Sequence, residues 1–188
     1  LNSLIYNLNR QQDQVRLFET GLCFSQATNQ SSLTFDDIDQ VRKLAGVACG
    51  RRESENWANS SEVIDFYDIK GDLESVLALS GEPEAFVISA DKHPALHPGQ
   101  SASIEKYGEN VGFIGLLDPR IQQSLEIRYP IFLFEINIVA IISKPLVQLS
   151  TMSRFPEVRR DIAIIVDQKV TAKDVRSCIN SITDNTLK

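Results

Sequence analysis

Three arginines precede an unbroken run of apolar residues near the end of the chain. Arg154, Arg159 and Arg160 come just before residues 162–166, which read IAIIV. A strand that is apolar at consecutive positions is buried on both faces of its sheet, so arginines at its start must pair with acids or face a partner. We therefore expect residues 162–166 to form a buried strand of a sheet domain.

A helix start follows this strand. Thr171 and Asp174 stand three residues apart, before Val175, Cys178 and Ile179, which is the pattern of a capping box with Asp as the acid. The predicted order is strand, turn, helix. A sheet domain of this kind has roughly 80 to 100 residues, and only about a third of that length stands before Lys188. We therefore expect the chain to be an excerpt from a longer protein.

The three arginines have two interpretations. A guanidinium forks onto phosphate or stacks on an unpaired base, so Arg154, Arg159 and Arg160 are candidate RNA-binding residues. The same guanidinium geometry suits an internal ion pair with Glu157 or Asp161, which would fix the start of this sheet domain in place. The formal net charge of -6 means that the average surface repels phosphate, so any contact with nucleic acid must be a local patch.

Composition favours one core and a small appendage. The chain has 188 residues, of which 43% are hydrophobic. Its three cysteines, Cys23, Cys49 and Cys178, are far apart, which favours buried thiols in a reducing cytoplasm over disulfides. No apolar run approaches the roughly 18 to 20 residues of a membrane span. We expect a cytoplasmic protein without a membrane partner.

Hydrophobic periodicity predicts an α+β first domain, residues 1–147, with an antiparallel sheet flanked by helices. Helices are predicted from residue 1 to about 12, at 66–77 and from 118 to about 125, and a short helix or turn is predicted at 137–142. Strands are predicted at 15–20, 22–25, 44–49, 86–89, 101–106, 111–117 and 131–136, with a bend at Gly21 between the first two. Trp57 is expected to seal an edge of the core. The second domain, residues 148–188, follows a change of pattern near Lys144 and Pro145.

Two clusters of polar residues have both a metal interpretation and a plainer one. Asp65, Asp68 and Asp72 would share one face of a helix and so could hold a hard cation, or they form a solvated face near a helix N-terminus. His93 and His97 are four apart, but Pro94 excludes a helical zinc pair, so a turn with hydrogen-bonded imidazoles is expected. Neither cluster leads us to predict a metal site.

No catalytic residue is predicted. The chain contains no Gly-x-Ser-x-Gly elbow, no phosphate-binding Gly-x-x-x-x-Gly-Lys-Ser/Thr loop and no Gly-x-Gly-x-x-Gly fingerprint.

A series of short segments resembles one family, the beta subunits of bacterial phenylalanine-tRNA ligase, a class II aminoacyl-tRNA synthetase. The order and spacing of the segments carry the resemblance along nearly the whole chain. The segments are NRQ at 9–11, LFETG at 17–21, DFYDIKGDLE at 65–74, HPGQSA at 97–102, GFIG at 112–115, FEI at 134–136, SRFP at 153–156 and RDIA at 160–163.

The resemblance implies that residues 1–147 are a catalytic-like domain of class II synthetase fold that has lost its chemistry. It implies that residues 148–188 begin a ferredoxin-like anticodon-binding domain, which is incomplete here. The implied partners are tRNA and an alpha subunit that carries the active site, in a heterotetramer of two alpha and two beta subunits. ATP and magnesium would serve the holoenzyme, with no cofactor in this part of it.

Three functions therefore compete. The first is a non-catalytic part of the ligase, supporting assembly and tRNA binding. The second is a stand-alone RNA-binding module centred on Arg154, Arg159 and Arg160. The third is a self-sufficient class II-like ligase or hydrolase that uses Asp65, Asp68 and Glu74.

Overall fold

The computed structural model of the chain describes residues 1–26, 38–54, 56–58, 62–143 and 158–182. The chain divides into two compact units, Leu1–Val147 and Gln148–Lys188. Each unit has its own internal contacts.

The first unit is built on one sheet of six antiparallel strands. The strands are β1 (Gln14–Gln26), β2 (Ile38–Gly50), β3 (Phe86–Ala90), β4 (Leu96–Lys106), β5 (Glu109–Leu117) and β6 (Ile131–Asn137). Their spatial order is β1-β2-β6-β5-β4-β3, so β6 inserts between the β1-β2 pair and the β5-β4-β3 meander. The predicted antiparallel sheet with flanking helices is confirmed.

The first two strands differ from the prediction. The bend expected at Gly21 is wrong: β1 runs unbroken, with Gly21 opposite Lys43 in a register that continues from Gln14 to Gln26. β2 also begins six residues earlier than predicted, because it pairs with β1 along its whole length. A glycine in a strand permits a bulge, but pairing along the full length decides against one here.

Helices lie on both faces of this sheet. They are α1 (Asn2–Leu8), α2 (Phe66–Ala78), α3 (Pro119–Ser124) and α4 (Ile138–Ile142), with a 3₁₀ turn at Pro83–Ala85. α1 is shorter than predicted because Gln11 takes a left-handed conformation, φ 62°, just beyond its end. Asp65 caps α2 and Asp118 caps α3, so both helices begin where the sequence predicts.

The alternation of side chains along β6 separates two hydrophobic clusters. Phe132, Phe134 and Ile136 pack with α2 in the larger cluster, together with Ile104 and Ile114 of the neighbouring strands. The smaller cluster lies on the opposite face, where Ile131 packs with Leu4 of α1 and with Val15, Cys49 and Leu117. Both faces of β6 are therefore covered over most of its length, which explains its nearly continuous apolar sequence.

Two predictions about individual side chains are wrong. Trp57 is 99% exposed and seals no edge of the core. Of the cysteines, only Cys49 is buried, and burial raises the pKa of its thiol to about 11, whereas Cys23 and Cys178 are exposed. A composition argument cannot separate these cysteines, because their burial depends on the distant strands and helices beside them.

The second unit contains α5 (Ala172–Ile182), which begins at the predicted capping box. The backbone amide of Asp174 donates to Thr171 Oγ1, and Asp174 Oδ2 accepts from the amide of Thr171. The prediction of a buried strand at 162–166 is wrong: these residues form no strand, and Ile162 and Ile165 are 84% and 103% exposed. A strand needs a hydrogen-bonded neighbour, and the described part of this unit offers only a helix.

No helix among the described residues has both the length and the apolar character required to cross a membrane.

Candidate functional site

Only part of the predicted RNA-binding group lies in the described chain. Arg159 and Arg160 are exposed, in the extended segment before α5. Arg154 and its possible partner Glu157 fall outside the described residues. RNA contact by these arginines, and their pairing with Asp161 or Glu157, therefore both stay predictions.

The carboxylates at the start of α2 surround one guanidinium. Arg52 donates from Nη1 to Glu62 Oε2 at 2.9 Å, from Nη2 to Asp65 Oδ2 at 3.1 Å and from Nε to Asp68 Oδ2 at 3.1 Å. The hydrogen bond with Asp68 is the main cause of a raised Arg52 pKa. Asp65 and Asp68 also form a capping box at the N-terminus of α2.

The other acids of this helix are paired as well. Asp72 pairs with Arg16 of β1 at 2.8 Å, and Glu74 pairs with Lys70 one turn away. The Asp72 pair therefore joins α2 to the sheet, and the Glu74 pair lies within the helix. In the described ranges, no group of three or more His, Cys, Asp or Glu side chains is placed to hold a metal ion.

The two histidines form the hydrogen-bonded turn that the sequence predicts. His93 Nδ1 accepts from the Ala95 amide at 3.3 Å, and His97 Nδ1 accepts from the Gly99 amide at 3.0 Å. The His93 ring also stacks on Phe113, with ring centroids 3.9 Å apart and an interplanar angle of 19°. This stack fixes the loop between β3 and β4 against β5.

A cavity of about 430 Å³ opens on the sheet face opposite α2. Its floor crosses three strands in register, since Glu135 of β6 stands opposite Phe113 of β5, which stands opposite Ser103 of β4. On this floor Lys43 Nζ of β2 donates to Glu135 Oε1 at 2.6 Å, and the hydrogen bond raises the pKa of Lys43. This pair is not among the residues predicted from the sequence.

One signal could have drawn attention to the cavity. Glu135 is the only charged residue in the β6 sequence IFLFEIN, and a carboxylate inside an apolar strand needs a partner. The identity of that partner could not be read locally, since Lys43 lies 92 residues away.

The charges that line this cavity do not favour a triphosphate. Two lysines, Lys43 and Lys92, line the cavity together with two carboxylates, Asp91 and Glu135, so their formal charges cancel. Among the described residues, no arginine lines it. Four arginines elsewhere in this unit are paired with carboxylates: Arg16 with Asp72, Arg51 with Asp13, Arg52 with three acids and Arg120 with Asp118.

Arg120 pairs with the Asp118 carboxylate that caps α3. Arg120 Nη2 donates to Asp118 Oδ2 at 2.8 Å, and the Arg120 backbone amide donates to Oδ1. Side-chain hydrogen bonds from Arg120, then that backbone bond, lower the pKa of Asp118 from 3.8 to about 2. This carboxylate is a helix cap held ionised rather than a proton donor.

Comparison with known proteins identifies the first unit. Residues 1–138 match the model of the phenylalanyl tRNA synthetase beta chain CLM domain. The chain belongs to this family. The match ends just after β6, so it covers the whole six-stranded sheet and the cavity on its face.

Relatives in this family extend the similarity into the second unit. The phenylalanine-tRNA ligase beta subunit of Pseudomonas fluorescens is 43% identical over 179 residues, which is 95% of this chain and 22% of the relative. That of Pseudoalteromonas translucida is 42% identical over 187 residues, 100% of this chain and 23% of the relative. The chain thus spans less than a quarter of the length of these relatives.

A solved structure also aligns with the chain. It is a pyrrolysyl tRNA synthetase of Desulfitobacterium hafniense, with a TM-score of 0.48 and 14% identity over 74% of this chain and 44% of that protein.

Proposed function

We propose that the chain is a non-catalytic part of the beta subunit of a phenylalanine-tRNA ligase. In this role it supports alpha and beta assembly and tRNA binding while the holoenzyme charges tRNA with phenylalanine at the expense of ATP. The observation that carries the proposal is the 43% identity to a named beta subunit over 95% of the chain.

The charge arrangement on the sheet supports the absence of catalysis. Activating an amino acid requires fixed cations where the triphosphate charge sits. The cavity on the sheet face instead has balanced charges, with Lys43 and Lys92 offset by Asp91 and Glu135. We place ATP and magnesium on the alpha subunit for this reason, and expect the holoenzyme to act in the cytoplasm.

The two units have separate roles in this proposal. Residues 1–147 are a catalytic-like domain of class II synthetase type that packs with the alpha subunit, in an assembly of two alpha and two beta subunits. Residues 148–188 begin a ferredoxin-like anticodon-binding domain. Arg154, Arg159 and Arg160 contact tRNA phosphates, in keeping with the exposure of the latter two.

The competing ligase function is disfavoured by the contacts of its proposed residues. Asp65 and Asp68 are bound by Arg52 and by the α2 backbone, and Glu74 is bound by Lys70. The stand-alone RNA-binding module would need the arginines of the second unit to act without the first. The family match lies in the first unit, which favours the subunit function.

Co-expression with a phenylalanine-tRNA ligase alpha subunit tests the proposal. We expect the chain to co-purify with the alpha subunit and to catalyse no phenylalanine-dependent pyrophosphate exchange when purified alone. Exchange by the chain alone would establish the ligase alternative. RNA binding by the chain without any association with the alpha subunit would establish the module.

A further inference from the structure

The cavity on the sheet face is lined by charged, amide and aromatic side chains. It measures about 430 Å³, within the range of about 300 to 1,000 Å³ that is usual for small-molecule pockets. Its floor is formed by β2, β6, β5 and β4, and its wall by the loop that carries Asp91, Lys92 and His93. Its base is therefore a rigid sheet rather than a loop.

Opposite charges lie side by side at its centre. Lys43 Nζ and Glu135 Oε1 are 2.6 Å apart, and the two side chains are 36% and 30% exposed. Each group keeps hydrogen-bonding capacity after this contact: the ammonium has two further protons, and the carboxylate has a second oxygen. The pair can thus present a donor and an acceptor to one ligand at the same time.

Two amide side chains, those of Asn110 and Asn137, line the same cavity. Asn110 Oδ1 accepts from the Gly112 amide, and Asn137 Oδ1 accepts from the Val139 amide. These bonds use the oxygens and leave the amino groups for a ligand. Neither amino group has a hydrogen-bond partner among the residues that the structure describes.

An aromatic wall completes the cavity. The Phe113 ring is held by its stack with His93, and both rings line the cavity. Because His93 Nδ1 accepts from the Ala95 amide, Nε2 carries the proton of the neutral imidazole. The ring pair therefore offers an apolar face with one further donor at its edge.

We propose that this cavity binds a small zwitterion, a molecule with one ammonium and one carboxylate group. The ammonium binds beside Glu135, the carboxylate binds Lys43 and the amino group of Asn137, and the carbon chain lies against Phe113. A purely anionic ligand would be repelled by Asp91 and Glu135, and a purely cationic one would be repelled by Lys43 and Lys92. The balanced charges of the lining therefore favour a ligand that carries both charges. This binding role goes beyond the assembly function proposed above.

Titration of the isotope-labelled full chain, followed by backbone amide signals in NMR, tests the proposal. The probes are glycine, β-alanine and γ-aminobutyrate, which separate the same two charges by increasing distances, each at up to about 10 mM. Butyrate and propylammonium serve as probes with one charge only. We expect at least one zwitterion to shift the amides of Lys43, Phe113 and Asn137, and neither single-charge probe to do so.

Paired variants separate the cavity from the rest of the surface. Lys43→Met and Glu135→Gln should each weaken zwitterion binding about tenfold or more, since each removes a hydrogen bond to a charged group. Lys70→Met and Glu74→Gln remove a similar pair on α2 and should leave binding unchanged. If a cavity variant fails to fold, the amide shifts of the unmodified chain still show whether the zwitterion binds at the cavity.

Three results would overturn the proposal. The first is the absence of shifts at the cavity with all three zwitterions. The second is equal binding of butyrate or propylammonium, which would mean that only one charge is recognised. The third is binding that survives both cavity substitutions, which would leave the Lys43 and Glu135 pair as a cross-strand contact that serves the sheet alone.

Discussion

The Phe134 ring lies directly over the backbone of Gly46, its antiparallel partner on β2. A Cβ added at position 46 would overlap with Cε1 and Cζ of that ring. Phe134 is 4% exposed and packs with α2 in the larger core cluster. Because Gly46 has no side chain, β2 leaves enough space for the large aromatic ring of Phe134 on β6.

The substitution Gly46→Ala should lower the free energy of unfolding by about 1 to 3 kcal/mol, because the added methyl overpacks the core. Gly21→Ala in β1 is the matched control, since nothing lies within 4 Å of its added Cβ, and its effect should stay within about 0.5 kcal/mol. Denaturant unfolding measures both. In a Phe134→Ala background, itself costing about 3 to 5 kcal/mol, the Gly46→Ala penalty should largely disappear. An unchanged penalty there would mean that the ring is not its cause.

Glycine should be replaceable in α2 but not just beyond it. Gly71 lies inside α2 with open space at its Cβ position, so Gly71→Ala should raise the free energy of unfolding by about 1 kcal/mol. Gly81 also has open space but has φ +79°. Gly81→Ala should therefore destabilise the chain by about 1 to 2 kcal/mol. If both substitutions changed the free energy of unfolding equally, backbone conformation would not be the reason for the difference expected between them.

The Asp118 cap should make stability depend on pH in the acid range. Its pKa is lowered from 3.8 to about 2 by Arg120, so the ionised form is favoured in the folded state. The resulting stabilisation is complete above about pH 4 and is lost as pH falls from about 4 to about 2. The stability advantage of the unmodified chain over Asp118→Asn should shrink across that window in urea unfolding series. An advantage that stayed constant between these pH values would refute the shift.

The arginines of the second unit should contribute to tRNA affinity in the complete subunit. Replacing Arg154, Arg159 or Arg160 by Ala removes one cation from a phosphate, so each replacement should make the slope of log affinity against log salt shallower by about 0.7 for a single-stranded loop. Arg10→Ala serves as a control, because Arg10 stacks on Tyr6 in the first unit. Filter binding at several salt concentrations gives the slopes. If the triple variant keeps both affinity and slope, these arginines have a structural role and the tRNA contact is withdrawn.

Local signals in the sequence predicted the starts of helices and most strands. Asp65, Asp118 and Thr171 mark helix starts because a side-chain oxygen reaches backbone amides only two or three residues ahead. The turn around His93 and His97 was predicted for the same reason, since each imidazole bonds an amide two residues on. Interactions of this range depend on neighbouring residues, and neighbouring residues are what a single sequence displays.

Contacts between distant residues were decided only by the tertiary structure. The sequence showed a lone Glu135 in an apolar strand, but only the insertion of β6 beside β2 brought Lys43 within reach of it. The sequence showed three acids at helical spacing, but it did not show that Arg52 would form ion pairs with two of them, Asp65 and Asp68. The apolar residues 162–166 were predicted to form a buried strand, but they are exposed and form no strand. The reason is that a strand forms only when a neighbouring strand satisfies its backbone hydrogen bonds.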